Sequence, residues 1–93
     1  MKTMHEAIQI AKAYVLDVYA DNPPRDLRLE EIERSEDDRD WIITLGYQSF
    51  DYDPNRRALN MLFPTDLRVP RDLKVVRVNA TSGEVYSMKT RAA

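Results

Sequence analysis

The sequence predicts an α+β fold, with one N-terminal amphipathic helix packed on a four-stranded antiparallel sheet in the chain order α-β-β-β-β. Three observations carry that prediction. A stretch of helical period follows a capping motif near the start of the chain. A strongly alternating run, Trp41-Ile42-Ile43-Thr44-Leu45-Gly46-Tyr47, occupies the middle. Two apolar runs, Leu73–Val78 and Val85–Lys89, flank a short polar turn that contains one of the chain's two glycines, Gly83. The last of these is a hairpin signature, and hairpin connections favour antiparallel sheets.

The helix begins at a capping box. In Thr3-Met4-His5-Glu6 a hydroxyl is placed to receive the N3 amide, and a carboxylate three residues on reaches back to the cap. From Met4 to about Tyr19, Met4, Ile8, Ala11, Val15 and Val18 recur on one stripe, flanked by Ala7, Tyr14 and Tyr19; Glu6, Gln9, Ala13 and Asp17 fall opposite. Asp21-Asn22-Pro23-Pro24 ends it, because proline disfavours helical geometry in the residue before it and has no amide to donate.

Leu27–Arg34 reads as a strand with a defect. Leu27 and Leu29 share one parity and Ile32 has the other, so a bulge near Glu30-Glu31 is needed to bring Ile32 to the core side. Ser35–Arg39 is a polar turn. In the following strand Trp41, Ile43, Leu45 and Tyr47 share a face, and this run is expected to be central in the sheet. Residues 51–70 read as an irregular insertion within a single domain spanning 1–93, with an Asx-rich turn at 51–57 and an apolar hexad, Ala58–Phe63, that fits strand, helical turn or loop. Gly83 supplies the positive φ that a short hairpin loop commonly needs.

Composition narrows the chemistry. The chain has 93 residues, 43% hydrophobic and 32% charged, enough for one core in a soluble globular protein. No cysteine is present, which removes disulfides, thiolate nucleophiles and sulfur-ligated metals. No apolar run approaches the roughly 18–20 residues that span a bilayer, and no apolar signal core follows Met1, so a cytoplasmic location without membrane attachment is expected. The net charge of −2 hides an asymmetry: residues 1–53 carry six Lys/Arg against thirteen Asp/Glu, whereas residues 54–93 carry eight against three. Such a division suits either separate solvated faces or a bipolar surface that steers a charged partner or pairs with itself. The basic half has no dense cluster with interleaved aromatics, which argues against nucleic acid.

The familiar catalytic and metal patterns do not assemble. His5 is the single histidine and falls in the first helical turn, where a solvated residue is expected. Ser35, Ser49, Ser82 and Ser87 have no second histidine to serve them. Asp51-x-Asp53-x-Asn55 opens like a calcium loop, but Arg56 stands where glycine is required and Leu62 where a bidentate carboxylate is required. The acidic run Glu30, Glu31, Glu33, Glu36, Asp37, Asp38 and Asp40 is expected to be a solvated face, since paired carboxylates do acid–base work only when burial separates their pKa values. No catalytic residue, cofactor or metal ligand is therefore assigned.

The opening helix Glu6–Lys12, the strand around Trp41-Ile42-Ile43 and the closing hairpin Val76-Arg77-Val78-Asn79-Ala80-Thr81-Ser82-Gly83-Glu84-Val85 together resemble PepSY-type domains and small cystatin-like immunity proteins that protect bacteria from toxins. The resemblance leaves out residues 51–70. It implies a non-enzymatic module that binds or restrains another protein, often a protease or toxin. The missing export signal departs from the mostly secreted PepSY pattern and shifts the expected partner to the cytoplasm.

The expected contact residues are Arg56, Arg57, Met61, Leu62 and Phe63 of the insertion, since arginine, methionine and aromatics are enriched at interfaces, together with Glu36, Asp37 and Asp38 of the acidic turn. Two rival readings remain. One is a homo-oligomer, such as a homodimer, that pairs strand edges with a second copy. The other is a carboxylate-based enzyme using Asp51, Tyr52 and Tyr47 on the open face of the sheet.

Overall fold

The structure is a computed structural model that describes residues 1–48 and 71–91. Five elements follow in the order α1 (Met4–Val18), β1 (Arg25–Arg34), β2 (Asp40–Gln48), β3 (Arg71–Asn79) and β4 (Val85–Arg91). The strands form one antiparallel sheet of order β1-β2-β3-β4, with α1 packed on one side. This is the α+β arrangement expected from the sequence. The insertion expected at 51–70, with Arg56, Arg57, Met61, Leu62 and Phe63, lies outside the described residues.

The capping box forms. The Thr3 amide donates to Glu6 Oε1 and the Glu6 amide to Thr3 Oγ1, both at 3.1 Å. Ala7, Ile8, Ala11 and Val15 are buried along one stripe, and the two alanines let the helix backbone approach the strands closely. The expected stripe is too long at both ends, since Met4 and Val18 are 46% and 47% exposed. Burial runs from Ala7 to Val15, with Tyr19 packed against the core beyond the helix end, and leaves the first and last residues of the stripe uncovered. Ahead of the helix, the Lys2 amide donates to the Ala80 carbonyl, and Trp41 Nε1 donates to the Lys2 carbonyl at 3.2 Å.

The longest regular pairing is between β2 and β3, nine residues without a register shift from Asp40↔Asn79 to Gln48↔Arg71. It puts Ile43 and Leu45 beside Val76 and Val78 on the helix side, where all four are fully buried with Ala7, Ala11 and Val15. Ile10, Leu27, Ile32, Trp41, Val85 and Met88 close the margin of this core. The predicted bulge in β1 is present. Leu29 faces Leu45 and Glu31 faces Thr44, so Glu30 is the extra residue, and Ile32 comes to rest opposite Ile43. Leu29 stays 38% exposed because α1 lies over β2 and β3, less over β4 and hardly at all over β1. Glu30 folds over Gly46, where a Cβ would come within 2.8 Å of Glu30 Cγ. Glycine at 46 is what lets the bulged side chain lie flat on the sheet.

In the β3–β4 turn the Asn79 side chain accepts from the Thr81 and Ser82 amides at 2.9 and 2.7 Å, and the Gly83 amide donates to the Asn79 carbonyl at 2.9 Å. Gly83 has φ of 79°, and a Cβ there would sit 3.0 Å from Ile10 Cδ1 and 3.1 Å from Lys2 Cε. The positive φ favours glycine here, whereas the Ile10 and Lys2 side-chain ends need shift only slightly for a Cβ. Gly83→Ala is expected to lower stability by about 1–2 kcal/mol in urea denaturation followed by Trp41 fluorescence, and Thr3→Ala by about 1 kcal/mol in the same assay.

Candidate functional site at the acidic turn

The two faces of the sheet differ in chemistry. On the side away from α1, the register places Glu31 and Glu33 of β1 with Arg25 and Arg28, the bulged Glu30, and Asp40 of β2; on the same side lie Arg71 and Arg77 of β3 and Lys89 and Arg91 of β4. The charge asymmetry along the chain becomes an arrangement across this face. Arg71 donates to Asp26 Oδ2 at 2.9 Å and to the Asp26 carbonyl at 2.8 Å, and lies 3.7 Å from Glu30. Arg77 meets Asp40 at 2.7 Å, and Arg91 meets Glu31 at 3.3 Å. Each of these pairs joins an acid of the first half of the chain to a base of the second.

The turn between β1 and β2 is built around Ser35, which is 5% exposed. Its hydroxyl donates to Asp37 Oδ1 at 2.6 Å and accepts from the Asp40 amide at 3.0 Å. Its amide donates to the Asp40 carbonyl, and its carbonyl accepts from the Asp38 amide at 2.9 Å. Asp37 Oδ1 also accepts from the Arg39 amide at 3.1 Å, and the Arg34 guanidinium donates to the Asp38 carbonyl while stacking 4.6 Å from the Trp41 ring centre. Asp38 adopts φ of 58°, a left-handed conformation that aspartate tolerates better than most residues. The Ala80 amide ties the turn to β3–β4 through the Arg39 carbonyl at 2.8 Å.

These bonds leave Glu36, Asp37 and Asp38 exposed at the tip, as expected for the acidic stretch. Asp40 departs from that expectation. It is 6% exposed and paired with Arg77, because its position in the β2–β3 ladder, next to Trp41, carries it beneath the turn. Its second oxygen, Oδ1, has no hydrogen-bond partner among the described residues. Beside the turn is an open hollow of about 420 Å³ lined by Ser35, Glu36, Asp37, Ile42 and Arg77. Its lining combines two carboxylates with a hydroxyl, an apolar side chain and a guanidinium.

The electrostatics suit charge recognition. The hydrogen bond from Ser35, followed by that from the Arg39 amide, holds the Asp37 carboxyl below its ordinary range, and hydrogen bonds from Arg28 and then Arg71 do the same for Asp26. A carboxylate held ionised in this way favours a cation and is poorly matched to proton transfer near neutral pH. Among the described residues, no group of three or more histidine, cysteine, aspartate or glutamate side chains is placed to hold a metal ion.

The remaining sequence candidates fall elsewhere. His5 is exposed on the first turn of α1. Tyr47 is 2% exposed on the helix side, where burial pushes its phenol up, so it contributes nothing to the open face on which the enzyme reading placed it. Its parity with Trp41, Ile43 and Leu45 already implied this. Asp51 and Tyr52 lie outside the described residues. Ser35, Asp40, Ile42 and Arg77 were not singled out as site residues. Two signals pointed to them: a serine two residues before an aspartate, the spacing of a side-chain-closed turn, and the parity of Arg77 opposite to Val76 and Val78.

Among the described residues no helix is long and apolar enough to cross a membrane. Comparison of the chain with family models, with curated proteins and with solved structures gives no match.

Depressed carboxyl pKa values in the folded state contribute stability above the ordinary aspartate value of about 3.9. That contribution is lost as pH falls through the lower folded values. Acid titration of Trp41 fluorescence is expected to show stability falling below about pH 4, with a shallower acid limb in Asp37→Asn and Asp26→Asn.

Proposed function

We propose that this chain is a small non-enzymatic protein-binding or inhibitory module, of the kind represented by immunity proteins, which takes a cationic segment of a protein partner at the β1–β2 turn. The reading is supported above all by the fixed geometry of that turn. Glu36, Asp37 and Asp38 are presented on a backbone closed by Ser35, so little ordering remains to oppose binding. A lysine or arginine of the partner would pair with the Glu36 and Asp37 carboxylates while its alkyl stem lies on Ile42. Arg56, Arg57, Met61, Leu62 and Phe63 belong to the same proposal on residue type alone, as a second set of contacts.

The variant Glu36→Gln/Asp37→Asn/Asp38→Asn removes three charges but keeps the acceptors that close the turn. Against a partner captured from the source cells, it is expected to bind roughly tenfold or more weakly, with a reduced dependence on salt. Gln9→Ala, on the exposed side of α1, should bind as the parent does. Unchanged affinity in the triple variant would remove the turn from the binding surface.

A further inference from the structure

The two edges of the sheet are finished differently. β1 is interrupted twice, by shifts between Arg25 and Arg28 and between Leu29 and Glu31, with Asp26 in the left-handed region at φ of 56°. Repeated bulges of this kind blunt an edge against further pairing. β4 has a single shift, at Tyr86, next to the turn. From Ser87 to Arg91 its register with β3 is regular, and the stretch contains no proline, glycine or acidic residue. Among the described residues no strand pairs with its outer side.

The side chains along this edge are strongly biased. Ser87, Lys89 and Arg91 face the open side of the sheet, and Met88 and Thr90 face the helix side. Lys74 of β3 belongs to the helix side, where it donates to Thr90 Oγ1 at 2.6 Å and lies 5.6 Å from the Tyr19 ring centre. The Arg91 contact with Glu31 is between two side chains about half exposed, 51% and 52%, and so exchanges readily for another carboxylate. Pairing of β4 with β4 of a second copy would bring like charges together on one face, which is unfavourable.

We propose that the Ser87–Arg91 edge takes an extended segment of a protein partner as a fifth strand, with acidic residues at alternate positions beside Lys89 and Arg91 and an apolar residue beside Met88. Backbone hydrogen bonds supply the attachment, and the alternation of charge selects the partner and its register. This surface is separate from the β1–β2 turn and stands independently of the function proposed there.

The test uses the full chain and an acetylated, amidated heptapeptide alternating glutamate and valine, with a lysine–valine peptide as control. Amide exchange is expected to be fast at the outward-facing positions of Ser87–Arg91 in the free protein and to slow on addition of the glutamate peptide alone. Methylating the edge-facing amides of that peptide should abolish protection. Lys89→Glu/Arg91→Glu should weaken the glutamate peptide roughly tenfold and favour the lysine peptide. The proposal is overturned if these amides are already protected in the dilute free protein, or become protected when the protein alone is concentrated. It is equally overturned if the two peptides bind alike, or if the methylated peptide binds as well as its parent.

Discussion

The uninterrupted β2–β3 ladder is the constraint from which the rest of the structure follows. Nine paired residues in strict alternation assign each side chain of the two inner strands to one face or the other. The helix side receives Ile43, Leu45, Val76 and Val78, which is the surface that α1 needs in order to bury Ala7, Ala11 and Val15. The other side receives Asp40, Ile42, Arg71 and Arg77, and with them the chemistry available for recognition. A slip of one residue would exchange these sets, exposing the core and burying the charges without partners.

The outer strands adapt to this frame in different ways. β1 has its apolar residues out of phase, so a bulge at Glu30 brings Ile32 back over Ile43, and Gly46 leaves room for the displaced side chain. Acids and bases from the two halves of the chain then meet across the open face, at Asp26–Arg71, Asp40–Arg77 and Glu31–Arg91. The more exposed of these, Asp26–Arg71 and Glu31–Arg91, add little stability individually. The unpaired charge on this face is acidic towards the β1–β2 turn and basic towards β4.

Much of this was legible in the residues. The capping box at Thr3 and Glu6, the parity break between Leu29 and Ile32, the shared face of Trp41, Ile43, Leu45 and Tyr47, and the need for positive φ at Gly83 are local rules, and local rules survive folding. The exposure of Met4 and Val18 was not legible, because periodicity assigns a face to a helix and not how much of its length is covered. Nor was the burial of Asp40. It stands in a run of acids that reads as uniformly solvated, and only the pairing with Asn79 and the neighbouring Arg77 brings it under the turn. Glu36, Asp37 and Asp38 were legible as exposed acids, but the closure of the turn that presents them comes from Ser35 and from the Arg39 and Asp40 amides, contacts that composition does not reveal.

The account rests on the β1–β2 turn being held ready before any partner arrives. Backbone order parameters for Glu36, Asp37, Asp38 and Arg39, measured by amide relaxation on the free protein, address this directly. Values near those of rigid strands, about 0.85, are predicted. Values below about 0.6 would mean a turn that moves freely on the nanosecond timescale, and would contradict the assignment of this turn as a preformed recognition surface.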